Sequence, residues 1–166
     1  MGMALIKALA AVLVFFTART LSAEYKKFTE RRLAVLEGFL SLLSFIKNEL
    51  SCRARASAEW AAEFNSTSLN EMGFTEEFIK TGSLHTAFLH INEGGTALGE
   101  ESKKLLGSYF LSFGKSYRDE EIKEASRVHE ELLRIMSREK SDMQRSLRAT
   151  RILAYATAAG LIILFL

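Results

Sequence analysis

The chain reads as an all-α protein, a helical bundle flanked by a transmembrane helix at each end. Three observations predict this. An apolar run lies at each terminus, with a charged middle between them. There is no proline in 166 residues, where a frequency of about 5% is usual, and proline breaks helix interiors by removing a donor and clashing with the preceding turn. Apolar residues in the middle recur at three- and four-residue steps, and no useful stretch alternates at the two-residue period of a strand. The predicted organisation is a membrane segment over 1–22, a cytoplasmic helical domain over 23–151 and a second membrane segment over 152–166.

The first apolar run covers about Ala8 to Ala18, or Met3 to Leu21 if Lys7 and Arg19 snorkel. The second, Ile152 to Leu166, has fifteen residues and no charge. As a helix it spans about 22 Å at 1.5 Å per residue, against a bilayer core of about 30 Å. Ala149 and Thr150, with Arg148 and Arg151 reaching to the headgroups, close most of that gap. Ala4 and Ala8, then Ala156 and Gly160, place small residues four apart, a spacing that lets membrane helices approach closely.

Charge placement sets the expected topology. Arg19, Lys26, Lys27, Arg31 and Arg32 follow the first run, and Arg138, Lys140, Arg145, Arg148 and Arg151 precede the second. Both flanks put the middle in the cytoplasm by the positive-inside rule. The alternative is an exported helical protein, an interaction module whose N-terminus is a signal peptide cleaved after Leu21-Ser22-Ala23.

Within the middle, Leu33, Leu36, Leu40, Leu43, Ile46 and Leu50 form one face of a helix over about 23–50. Arg53 to Phe64 continues it or starts another, with Trp60 and Phe64 four apart. Asn65 to Gly73 is polar and reads as a loop, and Thr75 is placed to cap a short helix to Thr81. Gly82-Ser83 breaks and recaps; Leu84, Phe88 and Ile91 mark the next face, which Gly94-Gly95 ends. A helix over about 99–113 carries Leu105, Tyr109 and Phe113. After Gly114, Ser116 and Asp119 make an S-x-x-D capping signature. A long helix then follows, its stripe marked by Ile122, Ala125, His129, Leu132, Ile135 or Met136, Met143 and Leu147, running on into the second apolar segment.

Catalytic patterns are weak. His85 and His90 are five apart, a poor spacing for one helix face, and His129 lies on the apolar stripe. Cys52 stands alone, so no intramolecular disulfide forms, and Arg53 and Arg55 follow it. No metal-ligand spacing and no phosphate-binding G-x-x-x-x-G-K-[ST] occurs, so no cofactor is expected. A net charge of +2 gives no reason to expect nucleic acid. The expectation is therefore a protein that is not an enzyme.

Charged surfaces are more informative. Arg134, Arg138, Arg145 and Arg148 share one face of the long helix. Anionic headgroups account for Arg145, Arg148 and Arg151 beside the membrane. They do not account for Arg134, about 25 Å upstream of the apolar run at the helical rise. Asp119, Glu120, Glu121 and Glu124 suit the N-terminal end of that helix; together with Arg134 and Arg138 they are also the candidate partner-binding residues.

The run LLGSYFLSFGKSYRDEEIKEASRVHEELLR, the early LLSFIKNELSC and the terminal RSLRATRILAYATAAGLIILFL resemble the stage III sporulation protein AB family of endospore-forming bacteria. The family's FG-x-x-L-G-x-S-D element reads here as Phe113-Gly114-Lys115-Ser116, followed by Tyr117-Arg118-Asp119. The resemblance implies a bundle similar to the F-type platform proteins of type II secretion and type IV pilus systems. It implies an integral membrane protein of the outer forespore membrane, facing the mother-cell cytoplasm. The implied partners are the secretion-type ATPase stage III sporulation protein AA, other sporulation channel membrane proteins, and membrane lipids. The function expected is a noncatalytic adaptor coupling that ATPase to the channel between mother cell and forespore.

Overall fold

The computed structural model describes residues 2–52, 57–95 and 98–165. Its elements are α1 (Gly2–Cys52), α2 (Ser57–Ala61), α3 (Thr67–Glu71), α4 (Phe74–Thr81), α5 (Leu84–Glu93), α6 (Glu100–Ser112) and α7 (Arg118–Phe165). No strand occurs among the described residues, so the chain is all-α. It divides into two compact units. One comprises residues 1–30 together with 139–166, and the other is Arg31–Arg138.

The central unit is built around α1. Leu36, Leu40, Leu43 and Ile46 are buried as the periodicity predicts, while Leu33 and Leu50 are only half-buried. Val35, Phe39 and Leu42 are buried as well. The buried face is therefore wider than a single stripe, because short helices cover α1 on more than one side. Phe39 is the first aromatic node. Its ring meets Phe74 of α4 at 5.4 Å, Phe88 of α5 at 6.0 Å and Phe110 of α6 at 6.0 Å. Trp60 is the second, meeting Phe78 at 5.2 Å, Phe45 at 5.7 Å and Phe113 at 6.5 Å. Each such pair adds roughly 0.5–1.5 kcal/mol beyond its buried area. Ala125, Val128, Leu132 and Ile135 give α7 its buried face in this unit.

Glycines set the length of α4. Gly73 (φ 76°) starts it and Gly82 (φ 66°) ends it, both in the left-handed region that other residues rarely adopt. Ser83 then caps α5, its hydroxyl accepting from the Thr86 amide at 3.2 Å.

Several local expectations are corrected. The predicted loop over 65–73 contains α3, whose Leu69 is buried in the core and outweighs the polar composition around it. Thr75 does not cap α4; Gly73 holds that position, and Thr75 is buried two residues further in. Trp60 and Phe64 are not joined by an i,i+4 step, since α2 ends at Ala61 and both rings meet Phe45 instead. The Ser116/Asp119 cap is replaced by another device. α7 begins at Arg118, and the buried Glu121 carboxylate reaches back to accept from the Gly114 amide (2.9 Å) and the Ser116 amide (3.2 Å).

Residues 1–30 and 139–166 make the second unit, so the two ends of the chain belong together. Neither contains a helix breaker able to stop α1 or α7, and both helices run unbroken into their terminal segments. Among the described residues no helix is long and apolar enough to cross a membrane. The two predicted membrane runs fall largely on residues whose side chains lie outside those described.

Candidate interaction surface

The outer side of α7 in the central unit is a ladder of ion pairs. Arg127 holds Glu124 through two hydrogen bonds, Nη2 to Oε1 at 2.6 Å and Nε to Oε2 at 2.9 Å. The hydrogen bonds from Arg127 hold the Glu124 carboxyl below its ordinary range. Arg134 pairs with Glu131 at 3.5 Å. Arg138 leaves its own helix and meets Glu101 at the start of α6, at 3.1 Å. Such exposed pairs contribute about 0.2–1 kcal/mol each and shape the surface more than they stabilise it.

The six candidate partner-binding residues thus occupy different settings. Asp119 and Glu120 are exposed in the first turn of α7. Glu124, Arg134 and Arg138 reach the surface but each already holds an opposite charge of the same chain. Glu121 is 6% exposed and its Oε1 is engaged by two amides of the preceding turn. Replacing Glu121 with Ala leaves those amides without their acceptor. We expect a loss of about 1–2 kcal/mol on thermal unfolding, with Glu121→Gln recovering much of it. Equal losses for both variants would mean that the acceptor oxygen is not what matters.

Sequence reasoning missed Arg118. Its guanidinium donates to the Leu50 carbonyl from Nε and to the Ser51 carbonyl from Nη2 at 2.6 Å, closing the C-terminal end of α1 from the start of α7. Nothing in its local sequence signals a partner 68 residues upstream. The spacing of Tyr109 marks it only as a helix-face residue. It is buried, its hydroxyl has no hydrogen-bond partner among the described residues, and burial followed by the charges of Glu121 and Glu124 pushes its ionisation far up.

Cys52 is exposed at the end of α1, His85 and His90 sit on α5, and His129 is half-buried on α7, so these groups are dispersed over three helices. His129 lies below the ordinary histidine pKa of 6.5, first because burial disfavours its charge and then because Lys47 repels it. The sign follows directly. The unfolded chain binds this proton more readily, so the contribution of neutral His129 is present above pH 6.5 and is lost as pH falls through 6.5 towards the lower folded value. We expect melting temperature to drop over that range in the native chain and to drop less in His129→Gln. An unchanged slope would remove His129 as the cause.

In the terminal unit, Arg145 and Arg148 are exposed. Ala156 and Gly160 are also exposed, and a Cβ on Gly160 would meet nothing within 4 Å. The side chains of Ala4, Ala8 and Arg151 lie outside those described.

A family model described as stage III sporulation protein AB matches residues 7–166, nearly the whole chain. The chain belongs to the stage III sporulation protein AB family. A role in sporulation follows from that membership. Neither the curated proteins nor the solved structures compared with the chain gave a match. For this stage III sporulation protein AB family member, the surface just described is thus known from its own geometry. The match runs from residue 7 to residue 166, so it takes in residues 7–30 and 139–166 of the terminal unit as well as the bundle.

Proposed function

We propose that this chain is a noncatalytic membrane platform of the sporulation channel, coupling a cytoplasmic secretion-type ATPase to the assembly between mother cell and forespore. The observation that carries the reading is the family match across 7–166, which takes in both apolar ends and the bundle. The two ends enter one compact unit, as the legs of a membrane hairpin would. The apolar runs near 8–18 and over 152–166 insert in the outer forespore membrane, and the arginine-rich flanks keep the bundle on the mother-cell side. The bundle Arg31–Arg138 acts as an F-type platform domain, and its docking partner is a stage III sporulation protein AA-type ATPase. Its role is noncatalytic: Cys52 and the three histidines are spread over α1, α5 and α7, which suits packing and surface roles.

The test is co-expression of the full-length chain with the AA-type ATPase of the same organism. Affinity purification in mild detergent, with and without nucleotide, then reads the complex. Co-purification is expected, weakened by charge reversal at Asp119 and Glu120, which are exposed in the first turn of α7. Clean separation under every nucleotide condition would remove the adaptor role.

A further inference from the structure

Past Arg118, the arginines of α7 whose side chains are described fall into two sets. Arg127, Arg134 and Arg138 are each matched by a carboxylate of the same chain. Arg145 and Arg148 are exposed and make no ion pair among the described residues, although Asp142 stands only three residues before Arg145. The same contrast holds on α1. Lys26 pairs with Glu30 at 3.5 Å and Lys27 with Glu24 at 3.7 Å, whereas the exposed Arg19 has no ion-pair partner among the described residues. Arg19, Arg145 and Arg148 all belong to the terminal unit. Unmatched cations also occur on the central unit, at the exposed Arg31, Lys104, Lys115 and Lys123; what sets Arg19, Arg145 and Arg148 apart is that each stands within seven residues of an apolar run.

We propose that Arg145 and Arg148, with Arg19, bind the phosphate headgroups of anionic phospholipid and make this protein selective for an anionic membrane surface. The proposal rests on the membrane reading above. Depth favours it. At the helical rise Arg148 lies about 6 Å and Arg145 about 10 Å before Ile152. The headgroup layer adds roughly 5–8 Å on each side of the hydrocarbon core, and an arginine side chain reaches across the difference. Arg138, about 21 Å upstream by the same rise, is beyond it and is satisfied by Glu101 instead. Guanidinium chemistry fits as well, because its planar fork grips two phosphate oxygens at once.

The experiment uses the full-length protein in mild uncharged detergent, equilibrated with an equimolar mixture of phosphatidylglycerol and phosphatidylcholine. Lipids retained after gel filtration are quantified. Phosphatidylglycerol should be enriched roughly five-fold at each engaged arginine, and the enrichment should shrink with added salt. Arg145→Gln with Arg148→Gln should cut the enrichment to what Arg19 alone supports, with no change in helix content, since neither side chain has an ion-pair partner to lose among the described residues. Arg127→Gln with Arg134→Gln should keep the enrichment. Equal retention of the two lipids by the native chain, or an equal loss in both double variants, overturns the proposal. Alkaline carbonate extraction of vesicles carrying the protein separates the two claims. A chain that stays inserted but shows no lipid preference overturns the selectivity alone, and a chain that is released overturns the membrane reading with it.

Discussion

Phe39→Ala is expected to lower the stability of the central unit by about 4–5 kcal/mol, at the upper end of the range for aromatic-to-alanine changes in cores. Phe39 is fully buried on α1, and its ring is shared among Phe74, Phe88 and Phe110. Those three rings come from three different helices, α4, α5 and α6. Truncation therefore opens a cavity that no single neighbour can fill by a rotamer change, and three edge or tilted ring contacts are lost together. With total stabilities near 5–15 kcal/mol, this one change brings the unit close to unfolding. The measurement is denaturant unfolding of the full chain in mild detergent, followed by circular dichroism. Phe39→Leu should restore most of the loss by refilling volume. A Phe39→Ala loss below about 2 kcal/mol would mean that the rings collapse inward and that the node is not the centre of the core.

Gly38→Val, one residue earlier, is expected to cost about 3 kcal/mol through overpacking. Gly38 lies in the interior of α1, where glycine is otherwise unfavourable by roughly 0.5–1 kcal/mol relative to alanine. A Cβ built there would stand 2.5 Å from Ser68 Oγ, 2.9 Å from Leu69 Cγ and 3.0 Å from Ser66 Oγ. The serine hydroxyls can rotate aside. Leu69 is fully buried and cannot move without shifting α3. Glycine at this position thus lets the backbone of α1 approach α3 closely, and the lost helix propensity is the smaller term. Gly38→Ala should be destabilising by about 1 kcal/mol, the clash less the propensity gain. The comparison is read from melting temperatures of the three chains. An alanine variant more stable than the native chain would show that the contact relaxes freely and that propensity wins.

Much of the fold is legible in the residues. Leu84, Phe88 and Ile91 reach the core on the face that their spacing assigns, and Gly82-Ser83 and Gly94 end or begin helices where turn chemistry places them. Those features depend on neighbours within one or two helical turns, and a linear reading holds all the necessary information. The helix between Ser66 and Met72 was not legible, because its polar residues resemble a loop and only the burial of Leu69 against the core selects helix. The turn before α7 was misread for the same kind of reason. Ser116 and Asp119 fit a capping pattern, but Glu121 supplies a longer reach and satisfies two amides at once.

The candidate surface divides in the same way. Composition and spacing placed Arg134, Arg138, Arg145 and Arg148 on one face and treated them alike. Packing separates them, since Glu101 comes from α6 to meet Arg138 while no carboxylate among the described residues pairs with Arg145 or Arg148. The helical class, the apolar faces and the family are all written in the linear chain, because periodicity, helix breakers and the residue pattern across 7–166 are local properties. Packing alone makes Phe39 the aromatic hub, Gly38 a close-approach point and Arg118 the closure of α1, and selects which arginines keep their charge unmatched. Each of these depends on groups far apart in the chain, and a local pattern carries no record of which distant partner arrives.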